Sequence, residues 1–281
     1  MINNIKSYVA KSRWIKKIIP RNYLPETCYV EINKKLKIFI SPRDVAGPSF
    51  HLAYGKDVGF NNYEERNKKL IASHLKDGDV FFDVGANIGL FSLYLKRLYP
   101  DLKCYLFEPF PTLFNCLKLT LKNSKMEDVH INDYALCNEN KELEFFIDTF
   151  NDGGHSLDSS SISSRSKKAQ SLKIQGKKLD SFVAENNIDR IDFLKIDIQG
   201  AEVEFLKGAR ESINKFKPKI MVELNNKNLE DFINLIGEGY EIYCPGLDEK
   251  IDASKLNEIK DKLIRAGKDE EDYFFFPVDE E

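Results

Sequence analysis

The chain has 281 residues, of which 42% are apolar and 31% are charged, and this length fits one large domain or two small ones. Its 42 lysines and arginines face 45 aspartates and glutamates, so the chain lacks the positive excess expected of a protein whose main partner is nucleic acid. The mean hydropathy is -0.42, and no stretch approaches the roughly 20 apolar residues of a membrane span. We therefore expect no nucleic-acid partner and no membrane-spanning segment.

The five cysteines are scattered along the chain and include no C-x-x-C pair. Such a set is typical of reduced thiols rather than of a disulfide framework or a zinc site. The N-terminus is basic but lacks the continuous apolar stretch of a secretory signal. We therefore predict a cytoplasmic protein that needs no metal.

Residues 1–62 form a predicted N-terminal extension. Residues 1–21 contain six lysines or arginines and no acid, with apolar residues near a helical repeat, which predicts a short basic helix. Its role stays open between peripheral membrane binding and packing within the protein or between subunits. Residues 27–32 and 36–40 alternate around a polar turn and predict a hairpin, followed by a loop over residues 45–59.

Short apolar strands alternate with helical stretches over residues 63–281, the predicted main domain. This alternation is typical of a Rossmann-like, doubly wound α/β fold with helices on both faces of a parallel sheet. The seven predicted strands cover residues 80–84, 103–107, 129–132, 193–196, 220–224, 240–243 and 273–276. The predicted helices cover residues 63–75, 90–98, 113–122, 179–186, 202–216, 229–236 and 253–266.

A serine-rich insertion interrupts this alternation. An additional strand is predicted over residues 142–147, and residues 151–171 then contain two glycines and many serines but little core-forming material. Unstructured loops longer than about 12 to 15 residues are uncommon inside compact domains and are often functional. We predict a lid over the site, and an insertion without a role is the alternative.

Residues 80–90 carry the main chemical motif, VFFDVGANIGL, in which an apolar strand runs into a glycine-containing turn and a helix. In open α/β sheets the ligand binds beyond the carboxyl ends of the strands, where a helix N-terminus also favours an anion. Asn87 and Leu90 stand where a dinucleotide-binding motif would have glycine, which disfavours nicotinamide and flavin dinucleotides. No ATP-binding loop of the G-x-x-x-x-G-K-[ST] type is present.

An acid at the end of the second strand completes the pattern. Glu108 follows Asp83 by 25 residues, and an acid at this place is suited to accept hydrogen bonds from both hydroxyls of an unphosphorylated ribose. Together with the D-x-G-x-N-x-G turn, Glu108 predicts S-adenosylmethionine as the cofactor.

These segments resemble the FkbM-type family of S-adenosylmethionine-dependent methyltransferases. The resemblance covers about residues 63–240 and rests on DVGANIG at 83–89, FEP at 107–109, LDSF at 179–182, IDFLKIDIQGAE at 191–202 and KGA at 207–209. It implies a class I methyltransferase fold and methyl transfer to a hydroxyl oxygen of a sugar, glycan or secondary metabolite. Gln199 departs from the glutamate common in the family. Methylation of nitrogen or carbon, or a non-catalytic binding protein that retains the fold, are the alternatives.

The resemblance and the strand-end geometry together assign cofactor contacts. The three turn residues are expected around the methionine end of the cofactor, with Asp83 orienting its amino group. Around the third strand end, a contact with adenine and a plain loop are equally open. The turn residues are Gly85, Asn87 and Gly89, and the adenine candidates are Asp133, Tyr134 and Ala135.

Methyl transfer to oxygen needs a group that positions the hydroxyl and receives its proton. Asp197, at the end of the fourth strand, is the first candidate, although a turn-capping carboxylate is the alternative. Glu202 fits either catalysis or the dipole of its helix, and Glu223 is a further carboxylate near the predicted cleft. His155, in the predicted lid, is a candidate base because imidazole titrates near neutral pH.

Overall fold

The computed structural model describes residues 25–34, 36–44, 46–54, 60–149, 151–157, 159 and 170–278. The predicted basic helix over residues 1–21, with its open roles at a membrane or between subunits, lies outside the described residues. So do residues 160–169 of the serine-rich insertion.

Thirteen strands and nine α-helices are formed by the described residues. The strands are β1 (Cys28–Asn33), β2 (Leu36–Ile40), β3 (Val80–Val84), β4 (Lys103–Phe107), β5 (Val129–Asn132), β6 (Ala135–Leu136), β7 (Glu142–Ile147), β8 (Gln170–Lys177), β9 (Phe193–Ile196), β10 (Lys219–Asn225), β11 (Tyr240–Cys244), β12 (Glu249–Ile251) and β13 (Glu270–Pro277). The helices are α1 (Pro48–Tyr54), α2 (Glu65–Ser73), α3 (Leu90–Leu98), α4 (Pro111–Ser124), α5 (Leu179–Glu185), α6 (Glu202–Lys207), α7 (Arg210–Phe216), α8 (Leu229–Ile236) and α9 (Leu256–Arg265).

The central sheet has eight strands in the order β12-β11-β13-β10-β9-β3-β4-β5. Strands β10, β9, β3, β4 and β5 are parallel neighbours, whereas β13 is antiparallel to both β10 and β11. The predicted doubly wound α/β fold is therefore confirmed, and all seven predicted strands are present. The eighth strand, β12, is added by a tight hairpin that continues the edge at β11.

Alternation along the strands divides the core between the two faces of the sheet. Phe82 and Phe275 belong to the cluster beneath α5 to α9, while Phe81 and Phe274 belong to the cluster beneath α2 and α3. All four side chains are 0% exposed. Because successive side chains of a strand point to opposite faces, one short apolar segment serves both clusters.

The N-terminal hairpin packs on the main domain. Ile38 and Ile40 of β2 share a buried cluster with Leu93 of α3 and Cys116 of α4. The Phe39 N–H also donates to the hydroxyl of Thr120 at 2.9 Å. The division at residue 62 stays a prediction, because residues on both sides of it contribute to this cluster. All five cysteines are buried, and none of them forms a disulfide.

Several local expectations are corrected. The predicted loop over residues 45–59 contains α1. Strand β8 begins in the last two residues of the predicted lid and continues through residues 172–177, for which no element was predicted, and it pairs with β7 and β6. The predicted helix over residues 202–216 is broken into α6 and α7 at Gly208. The carboxylate of Asp180 caps α7 by accepting from the N–H of Ser212 at 2.8 Å.

Gly208 marks this break because another backbone segment lies against it. A Cβ added there would come within 2.0 Å of the Cys137 carbonyl oxygen, although the backbone at Gly208 has an ordinary negative φ of -90°. Gly267 also lies at the end of a helix, where its N–H and that of Lys268 donate to the carbonyls of Ile264 and Leu263. Its φ is +70°, and a Cβ there would meet nothing within 4 Å.

We expect Gly208→Ala to lower the free energy of unfolding by about 3 kcal/mol, because backbone has to move to relieve the overlap. Gly267→Ala is the matched control and should cost only about 1 kcal/mol, the penalty for left-handed backbone. Urea unfolding measures both. Equal losses in the two variants would contradict the close approach at Gly208.

Candidate functional site

A cavity of about 320 Å³ lies at the carboxyl edge of the parallel strands. Its walls include the turns after β3, β4 and β9, Glu223 of β10, residues just before α2, and residues from 151–157. The strands meet there because Val84 is in register with both Phe107 and Ile196. Residues far apart in sequence are thus brought to one edge, as expected for open α/β sheets.

The turn after β3 is folded tightly against its two neighbouring strands. The N–H groups of Gly85 and Ala86 both donate to the Phe107 carbonyl, at 3.1 and 3.0 Å. Gly85 has a φ of +75°, and a Cβ there would lie 1.8 Å from the Asp197 carbonyl oxygen. Only glycine fits, since both the dihedral angle and the space exclude a side chain.

The other two predicted turn residues have different surroundings. Asn87 lines the cavity, and its side-chain amide donates to the Asp152 carbonyl oxygen at 2.9 Å. Gly89 is not among the residues that form the cavity wall. It begins α3 with a φ of +78°, and a Cβ there would lie 2.7 Å from Leu117. The predicted cofactor contact of Gly89 is therefore corrected to a packing role.

Glu108 is a buried carboxylate on the cavity wall, with 5% of its surface exposed. Its Oε2 accepts the Asn87 N–H at 2.8 Å, and its Oε1 accepts the Phe110 N–H at 2.8 Å. Burial raises the pKa of Glu108 to about 7, although these backbone donors favour its charged form. A carboxylate oxygen has capacity for more than one donor, so Glu108 can still accept from ligand hydroxyls.

Asp83 does not reach the cavity wall. It is 0% exposed, its Oδ2 accepts from the Ser92 hydroxyl at 2.6 Å, and its Oδ1 lies 3.4 Å from Lys195 Nζ. This buried position does not give Asp83 a direct contact with the cofactor's amino group, whereas its orientation of that group through water stays a prediction. Strand β3 is covered by helices on both faces, so its acid is enclosed beneath α3 instead of facing the strand end.

Lys195 connects this buried acid to the cavity. Its Nζ lies 3.3 Å from Asp197 Oδ2 and donates to the Gly85 carbonyl oxygen at 3.2 Å. Burial alone would lower the pKa of Lys195, but Asp197, Asp83 and Glu64 outweigh it and the net shift is upward. Lys195 is thus a fixed cation beneath the floor of the site.

A side-chain amide joins Asp197 to Glu223. The Gln199 Nε2 group donates to Asp197 Oδ1 at 2.9 Å and to Glu223 Oε2 at 2.6 Å. Gln199 holds this position with a φ of +54°, a conformation rare for residues other than glycine. The departure from glutamate noted in the sequence therefore places a neutral double donor between two carboxylates.

Further acids make this half of the cavity strongly negative. Glu64 and Glu270 line the wall beside Asp197 and Glu223, and Asp272 lies behind them on β13, opposite Glu223. Burial raises the pKa of Glu223 well above its usual value, and Asp197, Asp272, Glu270 and Glu64 raise it further. A carboxyl group with a raised pKa binds a proton more tightly than an ordinary carboxylate does, as a general base must.

The first part of the serine-rich insertion is folded onto both turns. The Ser156 hydroxyl donates to the Gln199 carbonyl, and Ser156 pairs with Phe146 in an isolated antiparallel bridge. The backbone carbonyl oxygen of Asp152 accepts a hydrogen bond from the side-chain amide of Asn87. Residues 151–157 therefore cover the cavity and link the β3 turn to the β9 turn, whereas closure of a longer lid over residues 151–171 stays a prediction.

His155 lies in this segment, with 4% of its side chain exposed. Its Nδ1 accepts the Asp148 N–H at 3.0 Å, so the neutral ring carries its proton on Nε2. Burial lowers the pKa of His155 to about 4. The predicted role as a base is therefore corrected, because one nitrogen is occupied as an acceptor and the other is a donor.

The remaining candidates divide between the cavity and other parts of the fold. Glu202 is 1% exposed, and its Oε1 accepts from the N–H of Gly200 at 2.9 Å, so it caps the turn and does not face the cavity. Of the predicted adenine residues, only Ala135 lines the cavity. Asp133 is exposed, and the Tyr134 hydroxyl donates to the side chain of Asn132.

Several wall residues were missed from sequence. Tyr63 and Glu64 lie just before α2, and nothing local marks them as site residues. Lys195 carries a usable signal, because it stands two residues before Asp197 and alternation along a strand places both on one face. Among the described residues, no group of three or more histidine, cysteine or acidic side chains is arranged to hold a metal ion. In the same part of the chain, no helix is long and apolar enough to cross a bilayer.

One protein family and several known proteins are similar to this chain. The sequence model of a family described as "Methyltransferase FkbM domain" matches residues 83–267. Methyltransferase 1 of Beauveria bassiana is 26% identical over 53% of this chain and 65% of its own length. The 31-O-demethyl-FK506 methyltransferase FkbM of Streptomyces tacrolimicus is 26% identical over 49% of this chain and 62% of its own length.

Among solved structures, a methyltransferase FkbM from Methylobacillus flagellatus has a TM-score of 0.48 and 18% identity over 72% of this chain and 44% of that chain. The chain thus spans less than two thirds of the length of each of these three proteins.

We expect Lys195→Met to lower the free energy of unfolding by about 3 to 5 kcal/mol, because it leaves Asp83 buried without its cation. Adding Asp83→Asn removes the stranded charge and should restore part of this loss. Urea unfolding of the two single variants and the double variant measures the coupling. Strictly additive losses would contradict the pairing of Lys195 with Asp83.

Proposed function

The chain belongs to the FkbM methyltransferase family, and from this premise we propose that it transfers a methyl group to a hydroxyl oxygen of a small molecule, sugar or glycan. One observation supports the proposal. The same cavity is lined by an acid suited to accept hydrogen bonds from ribose and by two acids suited to align the acceptor hydroxyl and take up its proton. These residues are Glu108, Asp197 and Glu223.

The cofactor of this family is S-adenosylmethionine, in agreement with the strand-end motifs, and its sulfonium supplies an electrophilic methyl group. The residues present suit it. Gly85 lets the β3 turn pack directly on the β9 turn, where a Cβ would collide, and so holds the turn backbone at the cavity wall. Glu108 offers acceptor capacity for ribose hydroxyls, and Ala135 is proposed beside the adenine.

Methyl transfer by direct displacement requires an aligned hydroxyl and a destination for its proton. We assign Asp197 to alignment of the hydroxyl, since Lys195 and Gln199 hold its carboxylate from two sides. Glu223 is assigned as the proton acceptor, because its raised pKa makes it a stronger base than an ordinary carboxylate. Neither assignment requires a metal.

An oxygen acceptor is supported by a relative, whose name describes methylation at an O-demethyl position. The acids on the acceptor side also suit a polyhydroxylated molecule, since carboxylates accept hydrogen bonds from hydroxyl groups. No role is proposed for residues 1–21 beyond the two left open by the sequence.

The proposal is tested by incubating the protein with methyl-¹³C-labelled cofactor and a panel of hydroxylated glycans and macrolides. The carbon shift and long-range couplings of the new methyl group identify the atom that carries it. We expect methyl on oxygen. Methyl on nitrogen or carbon would replace the proposal with one of those activities, and cofactor binding without transfer to any acceptor class would favour a binding protein.

The roles of Asp197 and Glu223 can be distinguished by the pH dependence of turnover in their variants. We expect the turnover of the wild type to rise with pH as Glu223 loses its proton, and Glu223→Gln to lower turnover about 100-fold and abolish this rise. Gln199→Leu removes a donor that favours the charged form, so the rise should move to higher pH. Asp197→Asn should lower turnover but keep the rise, moved to lower pH because the charge of Asp197 no longer raises the pKa of Glu223.

Turnover measured from pH 5 to 9 with cofactor saturating distinguishes these roles. The neighbouring groups that face Glu223 are Asp197, Glu270, Asp272, Glu64 and Gln199, and all remain in the Glu223→Gln variant. An unchanged pH profile in that variant would refute the assignment of Glu223 as the base.

A further inference from the structure

We propose that His155 binds the cofactor by donating a hydrogen bond from Nε2 to a ribose hydroxyl oxygen, the same hydroxyl group that donates its own hydrogen to Glu108. The inference rests on the proposed function and adds a cofactor contact from outside the alternating strands and helices. The ligand group is a sugar hydroxyl, which can donate one hydrogen bond and accept another at the same time.

The first observation is an unused donor. The Nδ1 atom of His155 is occupied by the Asp148 N–H, so Nε2 carries the hydrogen. Nε2 is buried and has no hydrogen-bond partner among the residues that the structure describes. The carboxylate of Asp152 is 4.0 Å away, which is beyond hydrogen-bond distance. Buried donors without partners are rare and unfavourable, so a ligand atom is the expected partner.

The second observation is the place of His155 on the cavity wall. Two short paths of contact connect it to Glu108. The Phe110 ring packs on the imidazole with centroids 4.2 Å apart, while the Phe110 N–H donates to Glu108 Oε1. On the other side, Asn87 donates from its backbone to Glu108 Oε2 and from its side chain to Asp152, the neighbour of the imidazole.

These contacts place His155 on the cofactor side of the cavity. The acids assigned to the acceptor follow β9 and β10, whereas both paths from His155 lead to the residue that follows β4. Glu108 is an acceptor and His155 Nε2 is a donor, which are the two complementary partners of one hydroxyl group. A contact with the acceptor's reacting oxygen is not favoured, because a donor there would compete for the lone pair that attacks the methyl group.

The test measures binding of S-adenosylhomocysteine and of its 2′-deoxy and 3′-deoxy analogues by calorimetry. We expect His155→Leu to weaken binding of the parent ligand about tenfold. The penalty should disappear for the analogue that lacks the contacted hydroxyl and persist for the other analogue. His155→Gln, which keeps an N–H donor at the end of its side chain, should recover most of the affinity.

Two controls accompany these variants. Glu108→Gln weakens one acceptor of the ribose and should also lose at least about tenfold in affinity. His130→Leu removes a histidine that stacks on Tyr105 outside the cavity wall, and it should bind all three ligands like the wild type. Thermal unfolding of each variant verifies that the fold is retained.

The outcomes separate the inference from the function on which it rests. Failure of the wild type to bind S-adenosylhomocysteine would overturn the proposed function. Normal binding by His155→Leu, or an equal loss with all three ligands, would overturn the hydrogen bond to ribose while leaving methyl transfer intact. Loss of binding confined to the acceptor would assign His155 to the other half of the cavity and would also overturn the inference.

Discussion

The site depends on the interactions that the buried ammonium group of Lys195 makes with its neighbours. Three oxygen atoms approach it, from Asp83 beneath the sheet surface, from Asp197 at the cavity wall and from the carbonyl of Gly85. A buried charge is stable only when it is paired and well solvated by fixed dipoles. Lys195 therefore holds the β3 turn and the Asp197 carboxylate in a fixed arrangement at the cavity wall.

Behind this ion pair, the next carboxylates are held by amides rather than by cations. Gln199 donates to Glu223, and the Asn67 side chain donates to Asp272 at 2.6 Å. An amide fixes the position of a carboxylate without supplying a full positive charge, so burial and neighbouring acids still raise the pKa values of both groups. The site thus combines one carboxylate fixed by a cation with two others whose pKa values are raised.

Sequence predicted the strand-end residues well because the parallel topology determines where strands end. Gly85, Glu108, Asp197 and Glu223 each follow or close a predicted strand, and all four reach the cavity. Asp83 instead lies within a strand buried on both faces, where an acid needs an internal partner.

Other features depended on contacts between distant segments. Tyr63 and Glu64 reach the wall only through the packing of α2, which no local pattern encodes. Strand β8 did leave a signal, since Leu172 and Ile174 alternate with polar residues, but the serines before it dominated the interpretation. The buried state of His155 arises from packing on Phe110, 45 residues earlier in the chain, and could not be inferred from its glycine-rich surroundings.

The hydrogen bonds that attach residues 151–157 affect the local opening of this segment. Their side-chain hydrogen bonds to Asn87 and Gln199 span 65 and 43 residues of sequence, but they are few compared with the ladders of the central sheet. A segment held by few bonds opens at a lower free energy than the global transition, and it does so without disturbing the strands beneath. A ligand held between this segment and the sheet adds its binding free energy to that opening equilibrium, so occupancy and local order rise together.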